Sequence, residues 1–591
     1  MTVLSATLFG QFRYNHPEID WQTFDTDHFQ IHFYDGTEST AREGAYVAEQ
    51  IFSHVTGLYD YEPPTKTDII FTDTDDISNG AAYYYDNKII IWASPLDFEL
   101  RGSHRWLQNV ITHEFVHIVS LQKAMKAGIK FPGAYFQWMD YEDEKRQDVL
   151  YGFPQKLVSY PLPGTTVPPW LAEGSAQYMF AGANWDHWDS HRDMILRDRI
   201  LYDNLLSFTE MNTFGKKGIG NESTYNAGFA LCRFIAENYG ADALKQIMVE
   251  LSNPLQFSIN KAIEQVTGVS GVQLFDDFKE SIDNQYNKST QSIRLNEVKG
   301  EILVKKGTAN LHPKWSPGGK KIAYISNKEN DYFGQTDLFL YDLEKQKSKK
   351  LDGGALFAPS WHSSGKYIYY TKKPTIPNRH GSKYFDIYVY DLEKKKEKRI
   401  TRHQRAYNPV FISSDSSLAF LSSHDGSQNI YHLNLKTEKI TKLTDYDNHS
   451  ILRGLSYDLE NHRLLYNRTQ HHYRDIYFYS FMDSSTEVLF ANELWDERDI
   501  NYSNGELIYS DDRSGIYNLR IDDEHYVTNV SGGAFMPDVN VNGDIVYSLY
   551  ENGQYKIALL SDSQIVENDN VGYSPNYFMR NSRNSDPIVM R

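Results

Sequence analysis

A single cysteine, Cys232, stands in 591 residues, so no intrachain disulfide holds the chain together. Runs of about twenty apolar residues are missing too, which leaves no candidate for a membrane-spanning helix. Positive charge is scarce: 60 Lys and Arg against 78 Asp and Glu give a net charge of −18. Nucleic-acid binding wants a basic face, and this balance opposes it. The G-x-S-x-G nucleophile elbow of the α/β serine hydrolases is absent as well. The opening Thr2-Val3-Leu4-Ser5-Ala6-Thr7 lacks the basic region and apolar length of a full signal peptide and reads at most as the stub of one.

What is present begins with His113-Glu114-Phe115-Val116-His117. On a helix, residues i and i+4 share a face, so both imidazoles reach one metal ion while Glu114, rotated about 100° from His113, addresses water beside it. Zinc lowers the pKa of a bound water to about 7, and a neighbouring Glu then serves as general base and acid. With 20 His and 78 acidic residues, an H-[D/E]-x-x-H match is expected by accident on the order of 0.1 times. The flanks Trp106, Leu107, Val110, Ile111, Phe115, Ile118 and Val119 are apolar on several faces, which suits a helix inside a core.

Catalytic zinc usually takes three protein ligands and keeps an open position. The metzincin arrangement is excluded, since Ser120 and Lys123 stand where it needs Gly and His. The third ligand is expected in Pro168-Pro169-Trp170-Leu171-Ala172-Glu173-Gly174-Ser175-Ala176, where the prolines open a helix and Glu173 lies among small residues that permit close packing. His113-Glu114-x-x-His117 followed by Trp170-Leu171-x-Glu173-Gly174-x-Ala176 resembles the gluzincin metallopeptidases, thermolysin-like and aminopeptidase N-like, in which a Glu on a second helix completes the site. The segment Thr224-Tyr225-Asn226-Ala227-Gly228 is similar to the one whose Tyr stabilises the oxyanion in the aminopeptidase N family. That resemblance implies the same role for Tyr225. Ala227 replaces the family's Lys, and the Gly-Ala-Met-Glu-Asn segment that receives a free amino terminus there is absent. The interval from His117 to Glu173 is longer than in short-spacer members and accommodates an insert around residues 139–160, whose mixed charges read as a solvated excursion.

Gly80 to Trp92 reads as a β-hairpin turning at Asp86-Asn87, whose exposed strand is either an ordinary sheet strand or one that takes an extended peptide by strand addition. Phe29 to Tyr34 and Thr67 to Thr72 are strand-like, Ala41 to Tyr59 is helical, and helices dominate after Glu173. The acidic and histidine-rich stretch Asp186-His187-Trp188-Asp189-Ser190-His191 offers the residue types of a second metal site but reads first as a solvated loop.

Beyond residue 307 the chain repeats. Trp315-Ser316-Pro317-Gly318-Gly319-Lys320, Trp361-His362-Ser363-Ser364-Gly365-Lys366 and Phe411-Ile412-Ser413-Ser414-Asp415-Ser416 each lead into a strand, with weaker copies later. Each is followed by a second element such as Asp337-Leu338-Phe339-Leu340-Tyr341 or Asp386-Ile387-Tyr388-Val389-Tyr390. Six units at a period of roughly 40 to 50 residues signal a β-propeller. They resemble the six-bladed TolB-type propellers, a fold that hosts both binding modules and enzymes.

The expected fold class is therefore multidomain α+β: a thermolysin-like gluzincin peptidase domain over residues 1–290, a linker over 291–306, an all-β six-bladed TolB-like propeller over 307–570 and a tail over 571–591. The expected function is zinc-dependent peptide hydrolysis. One zinc per chain is held by His113, His117 and Glu173, Glu114 is the general base and Tyr225 the oxyanion donor. A peptide or protein is the substrate, and the propeller recognises substrate or a protein partner. The resemblance implies a periplasmic, secreted or cell-envelope location. The alternative is an envelope scaffold with an inactive peptidase-like domain and a propeller that binds protein or glycan.

Overall fold

The computed structural model describes residues 16–573 except 97, 128–133, 141–155, 163, 179–187, 216–217, 331, 414–415, 471–472, 493, 504, 523–524 and 568–570. Most of the tail expected over 571–591 thus lies outside the described residues, as does the middle of the insert; its ends form a hairpin.

In the first half, alternating burial drives a five-stranded sheet. Strands β1 (Gln22–Asp25), β2 (Phe29–Phe33), β3 (Thr67–Thr72), β4 (Gly80–Tyr83) and β5 (Lys88–Trp92) lie in the order β1-β2-β3-β5-β4. The central β2, β3 and β5 are parallel, and β1 and β4 run antiparallel at the edges. Phe29, Ile31, Ile69, Phe71, Ile89 and Ile91 bury their side chains, in one core with the apolar residues of α1 (Glu38–Tyr59) and α2 (Trp106–Lys123). The β4–β5 hairpin turns through Asn87, which sits at φ 48° and is fixed by bonds to the Thr65 and Lys66 carbonyls. Next come the insert hairpin β6 (Ala134–Asp140) and β7 (Lys156–Leu162), then α3 (Pro169–Gln177), α4 (Ser190–Leu201) and α5 (Glu222–Tyr239). Helices α6 (Ala243–Ser252), α7 (Ile259–Thr267), α8 (Gly271–Ser289) and α9 (Gln291–Leu295) close the half.

The second half is a ring of six four-stranded sheets. Their inner strands are Asn310–Trp315, Ala355–Trp361, Ala406–Ile412, Ile451–Asp458, Glu497–Ser503 and Gly533–Val539. The sequence repeat is now explained: the aromatic residue ends an inner strand, the Ser-Gly-rich turn follows, and the Ile-Tyr-rich element is the third strand. Residues 291–306, expected to be linker, are structured. They contain α9 and β8 (Glu301–Val304), and β8 pairs with Tyr555–Leu560 as the outer strand of the sixth blade. Closing the ring with a strand from its start ties the first blade to the last and removes a free edge.

Every inner strand carries a bulge against its neighbour. Each bulge begins on a left-handed residue: His312, Phe357, Asn408, Gly454, Asp499 or Met536, with φ between 51° and 62°. Five of the six are not glycine, a conformation that costs each of them roughly 1 kcal/mol. All six line the central cavity of the ring.

The two halves share a core. Bends of five blades that face one side of the ring meet the first half, and so does the connection into the fourth at His449. Leu100, Met194, Ile195 and Ile219 pack in one cluster with Phe333, Tyr517, Phe535, Tyr550 and Tyr555. Thr37, the N-cap of α1, makes no side-chain cap bond; Asp425 of the third blade supplies the cap, accepting from the N–H groups of Ser39 (2.9 Å) and Thr40 (3.0 Å). Arg405 pairs with Asp73 and Asp76, Arg498 with Glu99, and Asp198 accepts from the backbone of Asn552 (2.8 Å) and Gly553 (2.6 Å). The boundary at residues 291–306 therefore divides the sequence but not the hydrophobic interior. The stretch expected to be a solvated loop also departs from expectation in its described part. Trp188, Asp189, Ser190 and His191 are buried, because Asp189 caps α4 by accepting from the Arg192 N–H (2.9 Å) while His191 meets Arg498 at the propeller (2.8 Å).

Candidate metal centre

Helix α2 is apolar nearly all round and runs between the sheet and α3, so the polar side chains at one turn of it converge on a small volume. His113 Nε2 lies 3.1 Å from His117 Nε2 and 3.1 Å from Glu173 Oε2, and His117 Nε2 lies 3.2 Å from the same oxygen. Among the described residues this is the one group of three or more His, Cys, Asp or Glu side chains able to hold a metal ion together. Ligands about 2.0–2.1 Å from a tetrahedral zinc stand roughly 3.3 Å apart, so the triangle fits one such ion with an open fourth position. One expected support is missing. His117 Nδ1 is buried without a hydrogen-bond partner among the described residues, whereas metal-bound His usually donates from its other nitrogen.

Electrostatics follow from the triangle. Burial raises the Glu173 carboxyl, but His117 and His113 outweigh it and hold the group well below the ordinary carboxylate range. Burial lowers the His117 imidazole, and Glu173 outweighs that in turn and raises it. Glu114 differs, since burial dominates and lifts its carboxyl despite the two imidazoles and the backbone N–H of Ala82. A carboxyl shifted upward beside a metal-ligand set is placed to exchange a proton with a water there.

Packing fixes these positions. A Cβ on Gly80 would stand 2.6 Å from Glu114 Oε1, so the first residue of edge strand β4 must be glycine for Glu114 to lie against it. A Cβ on Gly174 would stand 2.3 Å from the Gly228 carbonyl oxygen, and one on Gly228 would stand 2.3 Å from that of Trp170. Helices α3 and α5 thus cross backbone to backbone. That crossing carries Glu173, one residue before Gly174, and Tyr225, one turn before Gly228, to the same place. The Tyr225 ring lies parallel to His113, with centroids 6.2 Å apart and planes at 13°. Burial and the Glu173 charge push its phenol well up, so it stays a hydrogen-bond donor.

The structure therefore brings together His113, His117, Glu173, Glu114 and Tyr225. It adds residues that the sequence did not single out. Arg101 reaches in from the loop before α2 and binds buried Glu222 at the start of α5 (2.8 Å), with its guanidinium 5.3 Å from the Tyr225 ring centre. Gly80 carried a faint signal in the small-residue run Gly80-Ala81-Ala82; Arg101 and Glu222 carried none.

Comparison with known proteins concerns the second half. A family model described as TolB beta propeller domain matches residues 282–521. The second half is a TolB-type six-bladed β-propeller. The Tol-Pal system protein TolB of Ruthia magnifica subsp. Calyptogena magnifica is 35% identical over 74 residues, 12% of this chain and 16% of that protein. The chain thus spans under a fifth of the relative it matches. Among solved structures, TolB from Acinetobacter baumannii covers 43% of this chain and 55% of its own at 18% identity and TM-score 0.29. Pyrococcus horikoshii acylaminoacyl peptidase covers 44% and 45% at 15% identity and TM-score 0.30.

Proposed function

We propose that the chain is a zinc-dependent peptidase whose propeller serves substrate or partner recognition, working in the bacterial cell envelope or exported. The observation that carries this reading is the convergence of His113, His117 and Glu173 within 3.1–3.2 Å, with a general-base carboxyl and a phenol beside them. A bound zinc ion would supply Lewis acidity and an acidified water. The chain's own groups do the rest. Glu114 takes a proton from the attacking water and passes it to the leaving amine. Tyr225 donates to the oxygen on which negative charge develops, an interaction worth roughly 3 to 4 kcal/mol in a transition state. Among the described residues edge strand β4 pairs with β5 alone and is half-buried along its length, so it offers backbone groups to an extended peptide beside Glu114.

The envelope and partner parts of the proposal draw on the likeness of the second half to TolB. A scaffold reading, with a site that binds metal without turnover, draws on the unpartnered His117 Nδ1. Glu114 weighs against it, since a structural zinc site needs no base and usually closes with four ligands. Metal analysis of the purified full chain tests the proposal: about one zinc per chain is expected, with sharp loss in Glu173→Ala. Full occupancy in Glu173→Ala would remove Glu173 from the ligand set.

A further inference from the structure

Beside the metal centre lies a cation, Arg101, that the hydrolytic groups do not use. Arg101 belongs to the loop joining β5 to α2, a loop pinned to the propeller by the Ser94–Ser423 contact (2.9 Å) and by Glu99, whose carbonyl accepts from Tyr555 (2.5 Å). Its guanidinium is fixed on three sides. Phe98 and Tyr225 lie within 5.7 and 5.3 Å of Cζ, and Glu222 takes the Nε and Nη2 donors (2.8–3.3 Å). Nη1 makes no hydrogen bond to any described residue. The side chain is 45% exposed while that of Glu222 is 7% exposed, so the arginine is the member of the pair that meets solvent.

A planar guanidinium with one edge already satisfied presents the other as a pre-aligned fork, and a carboxylate is the group whose two oxygens match that fork. Position adds to this. The guanidinium lies one ring beyond Tyr225, and Tyr225 one ring beyond His113. The distance from metal ligand to fork is thus no more than about four residues of extended peptide. We infer that Arg101 is a specificity-determining residue that binds a substrate carboxylate, either the C-terminal carboxylate a short way past the scissile bond or an acidic side chain there. This rests on the peptidase reading for its meaning, but binding itself does not require turnover.

The test uses the full chain, zinc-loaded, carrying Glu114→Gln so that probes persist, and measures binding by calorimetry. The probes are penta-alanine with a free C terminus, its C-terminal amide, and an amide with one Asp in place of the penultimate alanine. At least one carboxylate-bearing probe should bind about tenfold tighter than the plain amide, the size of a charge-assisted contact, and which one does identifies the source of the carboxylate. Arg101→Gln should abolish the preference. So should Arg101→Gln combined with Glu222→Gln, which avoids leaving a buried carboxylate unpaired. Equal binding of all three probes, no binding of any, or a preference that survives Arg101→Gln would each overturn the assignment. If the preference holds and depends on Arg101 while the parental chain cleaves no peptide, the carboxylate site stands and the peptidase reading falls. Cleavage without any carboxylate preference would do the reverse.

Discussion

Tyr225 best separates a working peptidase from a retired one at the level of single residues. Its ring is held between His113, Phe214 and Arg101, contacts that Phe would keep, while its hydroxyl makes no hydrogen bond to a described residue. A donor used only in the transition state lowers kcat and leaves KM nearly unchanged when removed. Tyr225→Phe should therefore cost about 10² to 10³ in kcat with zinc content and melting temperature as in the parent. A parental rate would make another donor responsible. His113, Glu114 and His117 were legible from the sequence because helical spacing alone places them on one turn. Glu173 was legible in outline from its place among small residues on a proline-opened helix, whereas Tyr225 came from resemblance to a family, since nothing local says that the two helices will cross at Gly174 and Gly228. Arg101 was illegible, for its place depends on a loop held by the propeller.

Elements set the site through that crossing. In Gly228→Ala the new Cβ would lie 2.3 Å from a carbonyl oxygen on α3, and backbone cannot rotate away as a side chain can. Helix α3 must shift and take Glu173 with it. Overpacking of this kind costs about 1 to 3 kcal/mol, so Gly228→Ala should melt earlier and hold less zinc. Gly57→Ala is the control. It lies within α1 with open space around its Cβ position, where alanine should be neutral or stabilising by up to about 1 kcal/mol. Unchanged zinc content in Gly228→Ala would mean that the crossing does not position the ligand. In the propeller, the repeats and the number of blades followed from the alternation of apolar residues and turn signals. The bulge ring did not, because its six positions are filled by His312, Phe357, Asn408, Gly454, Asp499 and Met536, with no shared residue type to read.

For the whole molecule, the shared interior decides whether the halves live apart. Composition places a boundary near residue 300, yet the cap of α1, the partner of Glu99 and the cover over Met194 and Ile195 all come from the propeller. Contacts between residues hundreds of positions apart leave no local trace in a sequence, which is why it reads as two domains joined by a linker. A protein truncated after Leu295 exposes that apolar surface and takes Arg405 from buried Asp73 and Asp76 and the Asn552 and Gly553 donors from Asp198, which costs stability through lost pairing as well as lost burial. It should aggregate or melt far below the full chain and fail to retain zinc. A monomeric fragment with a cooperative transition and bound metal would show that the first half needs no propeller.

The central claim is that this site hydrolyses peptide bonds with Glu114 as its base. Side-by-side digestion of a mixed peptide library by the full chain and by Glu114→Gln, followed by mass spectrometry and with zinc content measured in both, addresses it most directly. The account predicts cleavage by the parent, none by Glu114→Gln, and equal zinc in the two. Undiminished cleavage by Glu114→Gln, or zinc-loaded parent that cleaves nothing across the library, would contradict it.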